Sequence, residues 1–245
     1  MTSTSRFKAV CFDWGNTIEI GKPTIKETVL NVWGKFALTV SAEEIFKAAQ
    51  LSRVELTKML PLRKDLQDMT EFRQMLYARQ AELMSDALGI DPDLPDWPWV
   101  ANTFFNEFYF KNRSWQIPGS HIQLLHQLRQ HKIQLAVISN DDDPAEQPKL
   151  ISELGLIGYF AFEISSSAYG YEKPHPKIFL ATLSKLDLRA DEVIFIGDDF
   201  HNDYWGAEQV GMYSLLFDPA RLYVNVKNIR RIERLEEVFG YLFPA

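Results

Sequence analysis

Two rhythms of apolar and polar positions divide the chain. A short apolar run, Phe7–Phe12, ends in Val10, Cys11 and Phe12 and stops at Asp13-Trp14-Gly15-Asn16-Thr17. A brief apolar stretch closed by turn residues reads as a buried strand followed by a loop. From about Pro23 to Lys111 the spacing becomes helical. Pro23 opens a first helix near Thr24–Phe36. Ser41-Ala42-Glu43-Glu44 is a capping box before a second. Thr70 caps a third, which carries Phe72, Leu76, Leu83 and Leu88 and stops at Gly89. Past the proline-rich Asp91–Pro98 segment, Phe104, Phe105, Phe108 and Tyr109 mark a fourth. Four antiparallel helices in one block predict a small bundle. Inserted after the first strand, that bundle is a candidate lid.

From Pro118 helices and strands alternate. Gly119–His131 is helical and Ile133–Ser139 is a strand with Leu135, Val137 and Ile138. Asp143-Pro144 opens a helix to about Leu154. Phe160–Ile164, Val193–Gly197 and Met212–Phe217 read as strands, Pro176–Leu186 and Tyr204–Val210 as helices. The tail, Val224–Phe243, predicts one more charged helix near Ile229–Phe239. Helix–strand alternation with short loops implies right-handed crossovers and a parallel sheet. The expected fold class is α/β: a Rossmann-like parallel-sheet core, residues 1–17 and 116–245, with an inserted α-helical, four-helix cap, residues 18–115.

Composition narrows the function. The 245 residues are 46% hydrophobic and 24% charged, an ordinary soluble mix, with a net charge of -7. An acidic balance argues against nucleic acid and anionic membrane surfaces as partners. No apolar run approaches the roughly 20 residues that span a bilayer, and the opening MTSTSRFKAV lacks the apolar stretch of a signal peptide. A cytoplasmic protein is expected. The single cysteine, Cys11, excludes an internal disulfide framework and reads as a small core residue.

Ligands of open parallel sheets bind beyond the carboxyl ends of the strands, so the polar residues after each strand carry the candidate chemistry. Asp13 follows the first. Ser139 and Asn140 end the second, and Gly197, Asp198, Asp199 and then Asp203 follow Val193–Ile196. Lys173 lies in the loop Gly170-Tyr171-Glu172-Lys173-Pro174 ahead of a helix. Asp13, Asp198 and Asp203 converging would repel one another without a cation among them. All-oxygen ligands, with waters and a substrate phosphate, are the magnesium pattern. Lys173 adds a fixed positive charge for a phosphoryl oxygen, and Ser139 and Asn140 hydrogen-bond others. A carboxylate then serves as nucleophile, with magnesium and lysine stabilising the transferring group. Asp141, Asp142 and Asp143 read as turn and helix-cap residues, His175 as a cap or turn residue and His201 as a loop residue. Trp14 has two open readings, the floor of a substrate pocket or simple packing.

These residues carry a resemblance. Phe12-Asp13-Trp14-Gly15-Asn16-Thr17-Ile18 resembles the first motif of the haloacid dehalogenase superfamily. Ile138-Ser139-Asn140 is similar to the second, and Lys173-Pro174-His175-Pro176-Lys177-Ile178-Phe179 to the third. Ile196-Gly197-Asp198-Asp199-Phe200-His201-Asn202-Asp203 resembles the fourth, continued by Tyr204-Trp205-Gly206-Ala207. The four occur in order across about Lys8–Phe217, and the helical block then resembles the superfamily's type 1 cap. The resemblance implies Asp13 as nucleophile toward a small phosphorylated metabolite. It implies Mg2+ held by Asp13, the Gly15 carbonyl and Asp198, with Asp203 at or beside the ion. Ser139, Asn140 and Lys173 would bind the phosphoryl group.

One departure matters. Superfamily phosphatases carry a second aspartate two residues after the nucleophile, which protonates the leaving group and later activates water. This chain has Gly15 there, and Asn16 where glycine is usual. General acid–base help is worth about 10²–10⁴ in rate. Three readings stay open. Another carboxylate, from the cap, replaces the missing one in a specialised phosphatase. Or the chemistry is phosphonate cleavage: Asp13-Trp14-Gly15-Asn16-Thr17 also looks like the phosphonoacetaldehyde hydrolase motif, and that family needs a cap lysine, for which Lys47 and Lys58 are candidates. Or the chain is a catalytically weak scaffold that binds phosphate or a partner. Haloacid dehalogenase activity proper fits less well, since those enzymes carry tyrosine at the Gly15 position.

Overall fold

The computed structural model describes residues 5–35, 39–61, 70–91, 114–141 and 146–244. The chain divides into two compact units. The first comprises Met1–Ile20, Ile117–Pro219 and Ile229–Ala245, and the second Gly21–Gln116 and Ala220–Asn228.

The first unit is an α/β sandwich around a six-stranded parallel sheet. Its strands are β1 (Ala9–Phe12), β4 (Gln134–Ser139), β5 (Phe162–Ser165), β6 (Val193–Gly197), β7 (Tyr213–Phe217) and β8 (Arg231–Ile232), in the order β5-β4-β1-β6-β7-β8. β1 is buried along its whole length, pairing Phe12 with Val137 of β4 on one side and with Ile196 of β6 on the other. A parallel strand covered on both faces must be apolar throughout, hence the unbroken run that predicted it. Side chains alternate between the two faces. Val10 and Phe12 pack with Leu124, Leu125 and Leu128 of α4 (Gly119–Gln130). Ala9 and Cys11 pack with Ile178, Phe179 and Leu183 of α7 (Pro176–Leu186). Each such large side chain taken from water contributes about 1.5–3 kcal/mol. Helices α5 (Glu146–Glu153) and α6 (Ser166–Tyr169) connect β4 to β5 and follow β5.

Two segments depart from the sequence reading. The helix expected near Ile229–Phe239 is instead strand β8, a turn at Leu235–Glu237 and a short helix α9 (Val238–Leu242). The open edge of β7 explains it: the N–H groups of Leu216 and Asp218 donate to the carbonyls of Arg230 and Ile232, both at 2.8 Å. The Arg230 side chain, donating to the Ser214 carbonyl at 2.9 Å and to Glu208, fixes the register. Edge pairing outweighs the segment's charged, helix-like composition. After β6, helical structure starts earlier than expected, as a turn at Phe200–Trp205 that continues into α8 (Gly206–Glu208).

The second unit holds α1 (Ile25–Gly34), α2 (Ala42–Leu56) and α3 (Thr70–Leu88). Short strands β2 (Ile20–Lys22) and β3 (Ser114–Gln116) pair at its chain ends. Both capping boxes are complete: Thr24 with Glu27 on α1, and Ser41 with Glu44 on α2. α3 ends at Gly89, whose φ of +63° is the left-handed stop that glycine supplies. Val32, Trp33, Ile45, Ala49 and Met84 are buried. Residues Ala220–Asn228 belong here because Gln50 Nε2 donates to the Arg221 carbonyl at 2.9 Å and Arg53 stacks over the Tyr223 ring. The expected fourth helix around Phe104–Tyr109 lies outside the described residues, as do Asp142 and Asp143. Among the described residues no helix is long and apolar enough to cross a membrane.

Candidate active site

β1 stands where the sheet's connections diverge, with β4 to one side and β6 to the other. Such a switch point opens a crevice beyond the strand ends. Asp13 is the first residue past β1, 7% exposed, its N–H donating to the Ile196 carbonyl at 2.9 Å. The turn after it is built on one acceptor: the Trp14 carbonyl takes the N–H groups of Ile18 (2.9 Å) and Glu19 (3.0 Å). Its tightness puts Asn16 at φ +58°, a left-handed conformation that asparagine tolerates better than most side chains. His121 on α4 closes the loop from below. Its Nδ1 lies 2.9 Å from the Ile18 carbonyl, which can only accept, so Nδ1 carries the proton. Burial lowers this imidazole's pKa despite that bond.

Lys173 is the centre of the cluster. Its ammonium is 2.6 Å from Asp13 Oδ1 and 2.6 Å from Asp203 Oδ1, with the residue 1% exposed. Burial alone would lower its pKa; the two carboxylates outweigh that and hold it above its ordinary value. Asp203 Oδ2 accepts the Asp199 N–H at 3.0 Å. Asp199, which the sequence reading left without a role, caps the following turn by accepting the N–H groups of His201 (2.8 Å) and Asn202 (2.7 Å). A carboxylate just before a helical turn is the signal that would have found it. Gly197 is a steric requirement: a Cβ there would lie 2.3 Å from Asp203 Cγ.

Asp13, Asp198 and Asp203 each place a carboxylate oxygen so that the three lie within 4.8 Å of one another. Three carboxylates against one ammonium leave a formal charge of −2. Burial and the neighbouring Asp13, Asp203 and Asp199 push the Asp198 carboxyl well up, and burial raises Asp203 to about 7 despite Lys173. A hard divalent cation fits this all-oxygen, doubly negative set.

The structure therefore brings Asp13, Lys173, Asp198 and Asp203 together. Ser139 is buried at the end of β4, level with Ser165. Asn140 serves one step back: its Oδ1 accepts the Lys173 N–H at 2.7 Å and its Nδ2 donates to the Lys173 carbonyl at 2.9 Å. Gly15 borders the turn, bridged to Glu19, and supplies no side chain. Trp14 is 5% exposed, with its indole N–H on Glu19 Oε2 at 2.9 Å and its ring edge-on to Phe160. It joins the core cluster of Val10 and Phe12. His175 caps α7 as expected, Nδ1 accepting the Lys177 N–H at 3.1 Å. Lys47 and Lys58 are exposed, Lys58 paired to Glu55 at 2.7 Å, without the desolvation that activates a Schiff-base lysine.

Gly197→Ala should displace Asp203 from Lys173 and, with a divalent cation held by the three carboxylates, weaken its binding at least about tenfold. Titration calorimetry with Mg2+ checks this, and wild-type affinity in the variant would show that Asp203 is not a ligand.

A sequence profile of the haloacid dehalogenase-like hydrolases matches residues 7–211. Ribulose-1,5-bisphosphate 5-phosphatase of Halopiger xanaduensis is 35% identical over 98 residues, 40% of this chain and 41% of that protein. The chain thus spans well under half of that relative. The Rhythmically expressed gene 2 protein of Drosophila melanogaster is 27% identical across 99% of this chain and 95% of its own. The crystal structure of a HAD-superfamily hydrolase from Ehrlichia chaffeensis superposes with a TM-score of 0.54 at 19% identity, covering 98% of each chain, a likeness of fold. With its parallel sheet and its ordered strand-end residues, the chain belongs to the haloacid dehalogenase-like hydrolase family.

Proposed function

We propose that the protein is a magnesium-dependent phosphatase of small phosphorylated metabolites that works through an aspartyl-phosphate on Asp13. The observation that carries this reading is the buried Asp13–Lys173–Asp203 triad with Asp198 beside it. The ribulose-bisphosphate phosphatase relative supports the substrate class. The helical unit, Gly21–Gln116 with Ala220–Asn228, is assigned as the cap that selects the substrate.

Mg2+ held by Asp13, Asp198, Asp203 and the Gly15 carbonyl would neutralise charge on the phosphoryl oxygens. Lys173 contacts Asp13 Oδ1, which leaves Oδ2 for attack. The Oδ2–P bond forms as the bond to the leaving oxygen breaks, and that oxygen takes its proton from water. The Lys173 ammonium stabilises the transferring phosphoryl group, and the Ser139 hydroxyl orients it. Water then attacks phosphorus, the Oδ2–P bond breaks, phosphate leaves and the carboxylate returns. No carboxyl stands at Gly15 to assist either half, so turnover is expected to be limited by proton transfer.

A screen over phosphomonoesters should find turnover that requires Mg2+ and falls by more than about 10³-fold in Asp13→Asn, since the nucleophile is gone. If the wild type releases no phosphate from any of them and Asp13→Asn alters nothing measurable, the reading fails and the scaffold alternative takes its place.

Gly15→Asp should raise turnover of unactivated phosphomonoesters by about 10²-fold by restoring acid–base help. An unchanged rate would mean that another group already supplies it.

The pH dependence follows from the raised carboxyls. Asp203 rises from 3.8 to about 7 by burial, so the metal-free folded state holds a proton across that window that the unfolded chain releases. Its contribution to metal-free stability therefore falls as pH rises from about 4 to about 7. Mg2+ binding needs the ionised form, so it releases protons and tightens with pH. The gain in Tm from saturating Mg2+ should be clearly larger at pH 8 than at pH 5.5; a gain independent of pH would contradict the assignment of Asp198 and Asp203 as ligands.

A further inference from the structure

The loop that delivers Lys173 is pinned at both ends to two adjacent residues. It leaves β5 at Ser165 and reaches Lys173 through α6 and Gly170, whose φ of +83° ends that helix. At its far end Asn140 holds the Lys173 backbone with two hydrogen bonds. At its near end Asp141 holds three successive serines. Asp141 Oδ1 accepts from the hydroxyls of Ser165 and Ser167, the latter at 2.8 Å. The Asp141 N–H donates to Ser166 Oγ at 3.1 Å, and the Ser166 hydroxyl donates back to the Asp141 carbonyl at 3.3 Å. Ser165 Oγ in turn accepts the Ala168 N–H. Among the described residues Asp141 Oδ2 is buried without a hydrogen-bond partner. Retaining a carboxylate with one oxygen unpaired is costly, and two charge-assisted bonds on Oδ1 offset that cost.

We infer that Asp141 is a positioning residue for Lys173: through Ser165 and Ser167 it fixes the start of the loop whose end sets the ammonium between Asp13 and Asp203. Asp141 thus anchors a loop 24–26 residues downstream, a role that its place in a run of three aspartates did not announce. Its Oδ1 is engaged by the two serines at the end of β5. The inference deepens the phosphatase reading but rests on the Lys173 geometry alone.

The test uses the full chain. The buried Lys173 ammonium should give a slowly exchanging ¹H–¹⁵N side-chain resonance, assigned by its loss in Lys173→Met. Asp141→Ala should shift or broaden that resonance and weaken Mg2+-dependent beryllofluoride binding, read by ¹⁹F NMR, by about 10–100-fold, while Mg2+ affinity changes by less than about threefold. Asp141→Asn keeps a carbonyl oxygen for both serine hydroxyls and should restore most of the signal. Ser165→Ala with Ser167→Ala should reproduce the Asp141→Ala effect by removing the same bonds from the other side. An unchanged ammonium resonance in Asp141→Ala overturns the inference, as does equal loss in Asp141→Ala and Asp141→Asn together with a fallen Tm. Failure of the wild type to bind beryllofluoride while the ammonium still responds to Asp141→Ala would sink the phosphatase reading and leave the positioning role standing.

Discussion

The buried ammonium of Lys173 survives in this fold because two carboxylate oxygens stand 2.6 Å from it. Taken from water alone, a lysine charge costs several kcal/mol. Lys173 meets that cost by drawing together three stretches of chain remote in sequence: the end of β1, the loop after β5 and the helical turn after β6. Losing Lys173 would leave two buried carboxylates facing each other without their shared cation, so the site and the local fold are one structure. The balance is also incomplete. Asp198 joins the other two carboxylates without a contact to the ammonium, and burial, with their charge added, raises its proton affinity. That excess of negative charge makes a divalent cation a fitting occupant.

Sterics decide how closely these stretches approach. Asp203 lies against Gly197, where any Cβ would intrude to 2.3 Å. Gly206 similarly admits Pro174 and Phe179, with Pro174 Cβ 2.9 Å from where its own Cβ would be. Neither glycine stands at a left-handed φ, so proximity rather than backbone freedom selects them. The turn that carries Asp203 is thereby pressed against the loop that carries Lys173, and the ion pair forms at the point of closest approach.

The sheet and its strand-end residues were legible because a parallel strand covered on both faces is an apolar run, and the residue that ends the run points into the crevice. Capped helices such as Pro176–Leu186 were legible for equally local reasons. What escaped depended on partners far along the chain. β8 exists because β7 offers an edge, which no property of Arg231–Ile232 announces. The bonds of Asp141 to Ser165 and Ser167 and of Asn140 to the Lys173 backbone join residues more than 20 positions apart, which no local pattern announces. Trp14 joins the core cluster of Val10 and Phe12, a packing partner that its place in the motif did not reveal.

The two departures from the family's first motif carry unequal weight. Asn16 occupies a left-handed position, where glycine is the easy choice and asparagine an acceptable one, so the turn keeps its shape. The Trp14 carbonyl still gathers the Ile18 and Glu19 N–H groups, and His121 still supports the loop. Gly15 changes chemistry without changing that frame. Glu19, the turn's remaining carboxylate beyond Asp13, is committed to the Trp14 indole on the core side of the sheet. On the proposed phosphatase reading, a site whose turn offers glycine at position 15 and holds its other carboxylate on an indole is biased by physics toward substrates whose leaving oxygen departs as a weak base. Proton donation then contributes least to the barrier, and the electrostatic work of Lys173 and the cation contributes most.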